Sequence, residues 1–358
     1  MIVSRGDEGE AVSDIQQRLT ALGHTIDSVE LEANRFDSST ESATRAFQQE
    51  RALLTDGIVG PQTWQELVEA GYSLGDRVLY LRYPSFRGDD VRTLQERLNV
   101  LGFDPGREDG IFGEQADRAV REFQENVGIS PDGIVGAATL RALDRLRPPG
   151  PGPGRTVVRE TESLEARGSL SNRRIAIDPG HGPLDPGAVG PGGLLESEAV
   201  LPLSQALADT LQNRGAEPVF LRTPEESPGE PERAGRANAA DADIVISIHA
   251  NSHTDPAAAG SACYFFGRPG SVSLRGHALA ELVQEEIIET TGMSDGRTHP
   301  MAFPLLRETR MPAVRIEPCF ITNPNEEELL RGDEFRRDVA EAIVRALERF
   351  FAGGGRSD

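Results

Sequence analysis

The chain has 358 residues, of which 37% are hydrophobic and 27% charged, and its formal net charge at pH 7 is −21. This length predicts two or three domains, and the composition is typical of globular rather than disordered proteins. The negative charge argues against binding to nucleic acid or to an anionic membrane surface, because both are themselves negatively charged. The lack of any run of about 18 apolar residues also predicts that no segment inserts into a membrane.

The opening residues and the cysteines indicate where the protein works. Residues 1–7 contain neither the basic nor the apolar segment of a secretory signal, so we expect the protein as written to be cytoplasmic. Cys263 and Cys319 are too few for a disulfide framework. We expect both thiols to be reduced and buried, as free cysteines usually are.

An internal repeat occupies the first 146 residues. Its first copy contains Val12-x-x-Ile15-Gln16-x-x-Leu19, Phe47-Gln48 and Asp56-Gly57-Ile58-Val59-Gly60. Its second copy contains Val91-x-x-Leu94-Gln95-x-x-Leu98, Phe123-Gln124 and Asp132-Gly133-Ile134-Val135-Gly136. Apolar residues three and four apart predict helices, and the glycine-containing turns predict where these helices end. Each copy is therefore predicted to be a small all-α three-helix bundle, over residues 5–71 and 82–146.

A Pro/Gly-rich segment follows the second copy. Proline and glycine alternate from Pro149 to Gly154, and polar residues continue from there to about Arg173. Since both residue types disfavour helix and strand, residues 147–172 are predicted to form a semi-extended linker.

The apolar pattern changes in residues 173–351. Short β-prone runs occur at 175–177, 218–221, 244–248, 263–266 and 313–316, and helical stretches at 196–214, 230–240, 271–291 and 333–351. This alternation predicts an α/β domain with a mostly parallel sheet between helical layers.

Polar residues follow three of these predicted strands. His181, His249 and Glu317 come after the first, third and last runs, and Glu196 starts a predicted helix after a Gly-rich turn. Functional groups of such sheets collect at the carboxyl ends of the strands. Taken singly, each residue also has a structural explanation, as a turn residue or as a favourable charge at a helix start.

Together these residues suggest metal chemistry. Two His and one Glu are a ligand set of catalytic zinc, which leaves a fourth position for water or substrate. A further carboxylate must then take the proton of the water, and Glu317 is well placed for that role. Asp178 is expected to orient the backbone near His181 or to hydrogen-bond to a metal ligand from outside the coordination sphere.

The C-terminal domain resembles the zinc-dependent N-acetylmuramoyl-L-alanine amidases. The resemblance rests on Ile177-Asp178-Pro179-Gly180-His181-Gly182, Glu232-Arg233, Ser247-Ile248-His249-Ala250-Asn251, and Met311-Pro312-Ala313-Val314 through Glu317-Pro318. It implies that Zn²⁺ is held by His181, Glu196 and His249, and that Glu317 is the catalytic carboxylate. Glu198 is the alternative third ligand, although the register of the family favours Glu196.

The two bundles resemble the peptidoglycan-binding module of cell-wall hydrolases. The second copy matches closely, including Asp109-Gly110-Ile111-Phe112-Gly113, whereas the first has Ala33-Asn34-Arg35-Phe36-Asp37 and a loop three residues longer. Asn34 is expected to accept a left-handed turn, but Asp37 is expected to replace a glycine poorly. Glycan binding by the first copy therefore stays open, and so does a role of both bundles as scaffold or docking surface.

Some residues depart from the family pattern. Arg222-Thr223 stands where Thr-Arg is usual, and Cys319 stands where Gly is common. Cys319 is expected to be buried and inert rather than a contact to the metal. His299 is expected in a loop rather than in the substrate cleft, and Arg307 on the solvated surface rather than against a substrate carboxylate.

Two functions remain in competition. The first is an amidase that acts on peptidoglycan or muropeptides, which would work in the cell wall if the protein is exported by another route. The second is a weak or inactive cytoplasmic homologue, which would regulate precursor synthesis by binding a precursor or a cell-wall biosynthetic enzyme. The complete set of site residues favours the amidase.

Overall fold

The computed structural model describes residues 2–146, 168–268 and 271–353, and the chain divides between residues 158 and 159 into two compact units. Most of the predicted linker, residues 147–167, lies outside the described residues. None of the described helices combines the length and the hydropathy of a bilayer-spanning segment.

The N-terminal unit contains the two copies of the repeat. The helices of the first copy are α1 (Glu10–Ala21), α2 (Ser28–Ala33), α3 (Ser38–Glu50) and α4 (Pro61–Glu69). Those of the second copy are α5 (Asp89–Val100), α6 (Glu114–Asn126) and α7 (Ala137–Arg145). Within residues 2–146, the prediction of three helices is therefore confirmed for the second copy, while the first copy has a fourth, short helix in its longer loop.

Each copy has its own apolar core. In the first copy the spacing of Val12, Ile15 and Leu19 places all three on the buried face of α1. Each core also contains a residue that precedes the predicted boundary of its bundle: Val3 pairs with Val59, and Leu79 pairs with Val135. The boundaries 5–71 and 82–146 themselves stay a prediction.

A buried glutamine in each copy fastens the loop before the last helix. The side chain of Gln48 bonds to the loop through Asp56, Gly57, Ile58 and Thr63, at 2.7–3.1 Å. Gln124 makes the four equivalent bonds in the second copy. Because buried amides need such partners, the Phe-Gln and Asp-Gly motifs of the repeat are two halves of one contact.

The copies differ in the turn before their middle helix. Asn34 adopts the left-handed conformation, at φ 48°, where the second copy has Gly110 at φ 80°. The expectation that Asp37 fits poorly is wrong, because the corresponding Gly113 has φ −97° and does not need to be glycine. Asp37, at φ −124°, caps α3 by accepting a hydrogen bond from the backbone N–H of Ser38.

The C-terminal unit is an α/β domain. Its strands are β1 (Arg174–Pro179), β2 (Glu217–Phe220), β3 (Ile244–Ile248), β4 (Ser261–Arg268), β5 (Ser271–Val272), β6 (Asp295–Met301) and β7 (Ala313–Glu317). Its helices are α8 (Glu196–Asn213), α9 (Glu230–Ala239), α10 (Leu274–Thr291), α11 (Pro304–Glu308), α12 (Pro324–Arg331) and α13 (Asp333–Phe351). Strands β5 and β6 and helices α11 and α12 have no counterpart in the predicted pattern.

The sheet has the order β2-β1-β3-β7-β4-β5, and β6 also pairs with β4. Four of the six pairings among the described strands are parallel, while β4 runs antiparallel to β7 and to β5. The mostly parallel sheet is thus as predicted, with β4 as the reversed strand. Parallel β1, β3 and β7 bring the residues after their carboxyl ends to the same edge.

The two faces of the sheet differ in polarity. On one face Ile177, Ile246 and Val314 join the apolar core, together with residues of α8, α10 and α13. Alternate residues of the same strands point to the opposite face, where α9 and α11 lie. This second face carries Asp178, Ser247, Tyr264, Arg315 and Glu317, so it forms a polar row that leads to the site.

Candidate metal centre

Two histidines and one carboxylate converge at the carboxyl edge of the sheet. His181 follows β1, His249 follows β3, and Glu196 is the first residue of α8. Nε2 of His181 lies 3.2 Å from Oε2 of Glu196, and Nδ1 of His249 lies 3.0 Å from Oε1 of Glu196. The possible ligand atoms of all three lie within 4.8 Å of one another. Glu198, the alternative third ligand, is exposed on α8.

The carboxylate of Glu196 accepts hydrogen bonds on both oxygens. The backbone N–H groups of Ala188 and Ala250 each donate to it, at 3.0 Å. Burial alone would raise the pKa of Glu196, but the hydrogen bonds and charges of His181 and His249 outweigh burial and hold that pKa far below its usual range. Glu196 is therefore ionised at neutral pH, as a metal ligand must be.

Two glycines make room for these side chains. A Cβ on Gly180 would lie 2.4 Å from Cε1 of His249. A Cβ on Gly187, which also has φ +73°, would lie 2.6 Å from Oε2 of Glu196 and from Cδ2 of His181. The two imidazoles and the carboxylate that these glycines accommodate fit a zinc ion, whose protein ligands are of these types.

Buried arginines hold the loop that carries His181, a residue in the left-handed conformation at φ 58°. Arg233 donates to Oδ1 of Asp178 and to the carbonyl oxygen of Pro179, both at 2.6 Å, and to the carbonyl oxygen of His181. Arg222 donates to the carbonyl oxygen of Pro179 at 2.7 Å. Asp178 thus acts on the backbone near His181 through Arg233. Arg222, although its position departs from the family pattern, binds the same loop.

The two histidines have opposite pKa shifts. Burial, with the nearby charge of Arg315, lowers the pKa of His249 to about 4, so its imidazole is neutral at pH 7. Burial would also lower the pKa of His181, but Glu196 and Asp185 outweigh burial and raise it. Nδ1 of His181 lies 2.9 Å from Oδ2 of Asp185. A carboxylate behind a ligating histidine orients the ring and increases its basicity.

Glu317, at the end of β7, is buried beside this cluster. Nε of Arg315 donates to its Oε1 at 3.0 Å, and the phenol of Tyr264 also favours its charged form. Burial raises the pKa of Glu317 and the negative charge of Glu196 adds to the effect, while Arg315 opposes it. A buried carboxyl group with a raised pKa is suited to accept and return a proton near neutral pH.

Arg315 was missed by reasoning from the sequence. It lies two residues before Glu317 on the same strand, so its side chain is on the same face of the sheet. This spacing was visible in the sequence. The sequence offered no reason to expect a buried charge beside Glu317, because the partners of Arg315 lie on a neighbouring strand and on helices distant in the chain.

The structure corrects two further expectations and supports a third. His299 lies in β6, not in a loop, with its ring centroid 5.7 Å from that of Tyr264. Arg307 is buried rather than on the surface, and it donates to Glu308 at 2.9 Å. Cys319 lies in the apolar core, where burial raises the pKa of its thiol well above the usual value. Such a thiol is unreactive.

The fold and the site define an α/β domain with a candidate metal centre at the carboxyl edge of its sheet. Residues 175–349 match the N-acetylmuramoyl-L-alanine amidase family, and residues 8–67 and 87–143 match the putative peptidoglycan binding domain. The chain is 40% identical over 362 residues to N-acetylmuramoyl-L-alanine amidase CwlM of Mycobacterium tuberculosis, which covers 98% of this chain and 89% of that protein. The chain belongs to the N-acetylmuramoyl-L-alanine amidase family.

Two further relatives match only part of the chain. N-acetylmuramoyl-L-alanine amidase LytC of Bacillus subtilis is 34% identical over 169 residues, which is 47% of this chain and 34% of that protein. The solved structure of N-acetylmuramoyl-L-alanine amidase AmiC2 of Nostoc punctiforme is 32% identical, with a TM-score of 0.45, and the match covers 49% of this chain and 94% of that one.

Proposed function

We propose that this protein is a zinc-dependent amidase that hydrolyses the amide bond between muramic acid and the L-alanine of the stem peptide in peptidoglycan. The observation that carries the proposal is the convergence of His181, Glu196 and His249, with the buried carboxyl group of Glu317 beside them. Membership of the amidase family supports the choice of substrate.

His181, Glu196 and His249 would hold the zinc ion. When bound, zinc polarises the scissile carbonyl and lowers the pKa of a coordinated water toward about 7. The neutral imidazole of His249 and the ionised carboxylate of Glu196 are already in the protonation states that metal binding requires. Glu196 and Asp185 raise the pKa of His181, which would have to bind zinc in its neutral form.

Glu317 would move the proton. A carboxylate oxygen of Glu317 takes a proton from the attacking water and returns it to the amide nitrogen as the peptide leaves. The raised pKa of Glu317 supports both halves of this transfer, because it brings the affinity of the carboxylate for a proton closer to neutral pH.

The two helical modules would hold the polymer. Tethering a binding module to a catalytic domain raises the effective concentration of substrate without any new contact at the site. Both copies keep the same glutamine-fastened loop, and Asp37 causes no backbone strain in the first copy. We therefore include both modules in the proposal.

Metal content and turnover test this function in one experiment. The full chain and its Glu317→Gln variant are purified, bound zinc is quantified, and release of stem peptide from muropeptides is followed. We expect zinc near one equivalent in both proteins. We expect cleavage by the wild type alone, with the variant slower by roughly 10²–10⁴-fold, the usual contribution of a general acid–base group.

The same experiment separates the competing function. Zinc bound without any cleavage by the wild type would contradict the amidase and favour a regulatory homologue in the cytoplasm, with a biosynthetic enzyme or a precursor as its partner. That partner and that location stay predictions, as does function in the cell wall.

A further inference from the structure

Arg315 occupies an unusual place for a charged side chain. It is the middle residue of β7, a strand with a neighbour on each side, and only 15% of its side chain is exposed. Its guanidinium group lies over the ring of Phe303, with Cζ 4.4 Å from the ring centroid. A buried arginine is costly unless its charge and its donors are matched, so its partners indicate its role.

Those partners surround the guanidinium group with negative charge. Nε donates to Oε1 of Glu317 at 3.0 Å, and Nη1 lies 3.6 Å from Oε1 of Glu230, at the start of α9. The ring of Phe303 covers one face by a cation–π contact. Because Glu317, Glu230 and Phe303 together fix the guanidinium group, its Nε–H points at Glu317 in a defined direction.

A second donor reaches Glu317 from the neighbouring strand. Tyr264 of β4 lies directly opposite Arg315 in the antiparallel register, and its phenol lowers the pKa of Glu317. Two donors from two adjacent strands restrict the carboxylate far more than one would, because each removes a different rotation. Neither donor belongs to the set of candidate metal ligands.

Charged and titratable groups from four elements lie around Glu317 and its partner Arg315. Glu196 of α8 carries a negative charge, whereas burial raises the pKa of the Glu230 carboxyl group of α9 and raises the pKa of the Tyr264 hydroxyl well above its usual value. Arg315 is the cation among them, and its charge also acts on Glu196. Without Arg315, the buried carboxylate of Glu317 would face the negative charge of Glu196 and the neutral phenol of Tyr264.

We propose that Arg315, assisted by Tyr264, is a positioning residue that keeps the carboxylate of Glu317 ionised and in one orientation beside the metal centre. This inference rests on the proposed function for its effect on catalysis, but its effect on Glu317 can be measured without turnover. Among the described residues, Arg315 hydrogen-bonds to Glu317 and to none of the candidate ligands, although its charge also acts on His249 and Glu196, so its direct contact with the site is through Glu317.

The catalytic test uses the full zinc-loaded chain and four variants. Arg315→Leu removes the charge, Arg315→Lys keeps it without the planar fork, and Tyr264→Phe removes the second donor. Arg310→Leu is the matched control, because Arg310 is exposed and lies just before the same strand. Zinc content, kcat, KM and the pH profile are measured for each.

We expect Arg315→Leu to bind zinc normally and to lose about 100-fold in kcat, at the lower end of the general-base contribution, with KM within about 3-fold. The acidic limb of its pH profile should move to higher pH by about one unit. Arg315→Lys should recover part of the loss, Tyr264→Phe should lose less, and Arg310→Leu should match the wild type. If Arg315→Leu has an unchanged or increased kcat, and the acidic limb of its pH profile lies where it does in the wild type, the proposal is overturned.

A spectroscopic titration distinguishes failure of this inference from failure of the proposed function. Carboxyl-¹³C glutamate is incorporated, and the Glu317 resonance is assigned as the one missing in Glu317→Gln. The pKa of Glu317 should be higher in Arg315→Leu than in the wild type, and intermediate in Arg315→Lys, whether or not the protein cleaves muropeptides. If the pKa of Glu317 is the same in Arg315→Leu as in Arg310→Leu, Arg315 is not a positioning residue, even if the amidase is active.

Discussion

Two buried glutamates lie at the same edge of the sheet, and their surroundings give them opposite properties. Glu196 is 3% exposed and Glu317 is 6% exposed, so both have lost most of their contact with water. Yet the pKa of Glu196 is far below that of an ordinary glutamate, whereas the pKa of Glu317 is above it. Burial pushes both values upward, so the difference comes from their partners.

The partners of the two carboxylates differ in number and in charge. Glu196 faces two imidazoles and accepts two backbone N–H groups, whereas Glu317 has a guanidinium group and a phenol. The hydrogen bonds and charges of two histidines overcome the cost of desolvating Glu196, whereas Arg315 and Tyr264, opposed by the charge of Glu196, do not overcome it for Glu317. One residue type thus supplies a candidate ligand in one place and a candidate proton acceptor in the other.

Removing the charge of Glu196 should have the largest effect. Glu196→Gln keeps the shape of the side chain but not its charge, so we expect zinc affinity to fall by more than the roughly 10–100-fold that loss of an outer-shell partner costs. Cleavage should disappear with the metal. Glu198→Gln, on the exposed side of the same helix, should keep both. Zinc content after dialysis measures the difference, and Glu196→Gln with zinc still bound would remove Glu196 from the ligand set.

Changing Asp185, which contacts the candidate ligand His181, should reduce zinc affinity less than changing Glu196 does. Asp185→Asn weakens the contact to Nδ1 of His181, so we expect zinc affinity to fall by about 10-fold, the low end for such partners. The low end applies because the side chain of Asp185 is 70% exposed. Competition with a chromophoric chelator measures the affinity, with Asp209→Asn on α8 as control. Equal affinity in the two variants would show that Asp185 does not orient His181.

The smallest effect tests the same physical principle away from the site. Glu30, 6% exposed in the first helical bundle, accepts hydrogen bonds from the backbone N–H groups of Asp37, Ser39 and Thr40. Burial acts against it, but these bonds and that from the hydroxyl of Thr40 lower its pKa to about 2. Like Glu196, it is a buried carboxylate kept ionised by its donors.

Protonation of Glu30 should therefore destabilise the first bundle. Since the folded pKa lies below the ordinary value of 4.5, its contribution is complete above pH 4.5 and is lost as the pH falls toward about 2. We expect Glu30→Gln to lower the free energy of unfolding by about 1 kcal/mol near pH 7 and by progressively less below pH 4.5. Trp64, the only tryptophan, reports urea unfolding of this bundle. A deficit that stays constant with pH, or that appears equally in Glu32→Gln, would contradict this assignment.

Elements with few apolar residues were the ones that sequence reasoning missed. Strand β6 contains Gly296 and Pro300 and is mostly exposed, so no alternation of apolar and polar residues marks it. It is a strand because β4 offers an unpaired edge. The short helix α2 lies in the longer loop of the first copy, where its Glu30 caps the next helix. In both cases backbone partners distant in the sequence determine the local structure.

The sequence by itself determined the repeat, the α/β domain, and the positions of His181, His249 and Glu317 at strand ends, because periodicity and strand order are local properties of the chain. Only the tertiary structure decided which groups surround each of these residues. The burial of Arg315 between Glu230 and Glu317, and the two histidines and two backbone N–H groups around Glu196, depend on contacts between elements far apart in the chain. A pKa is a property of such surroundings, so the distinct roles of the two glutamates follow from the packed structure.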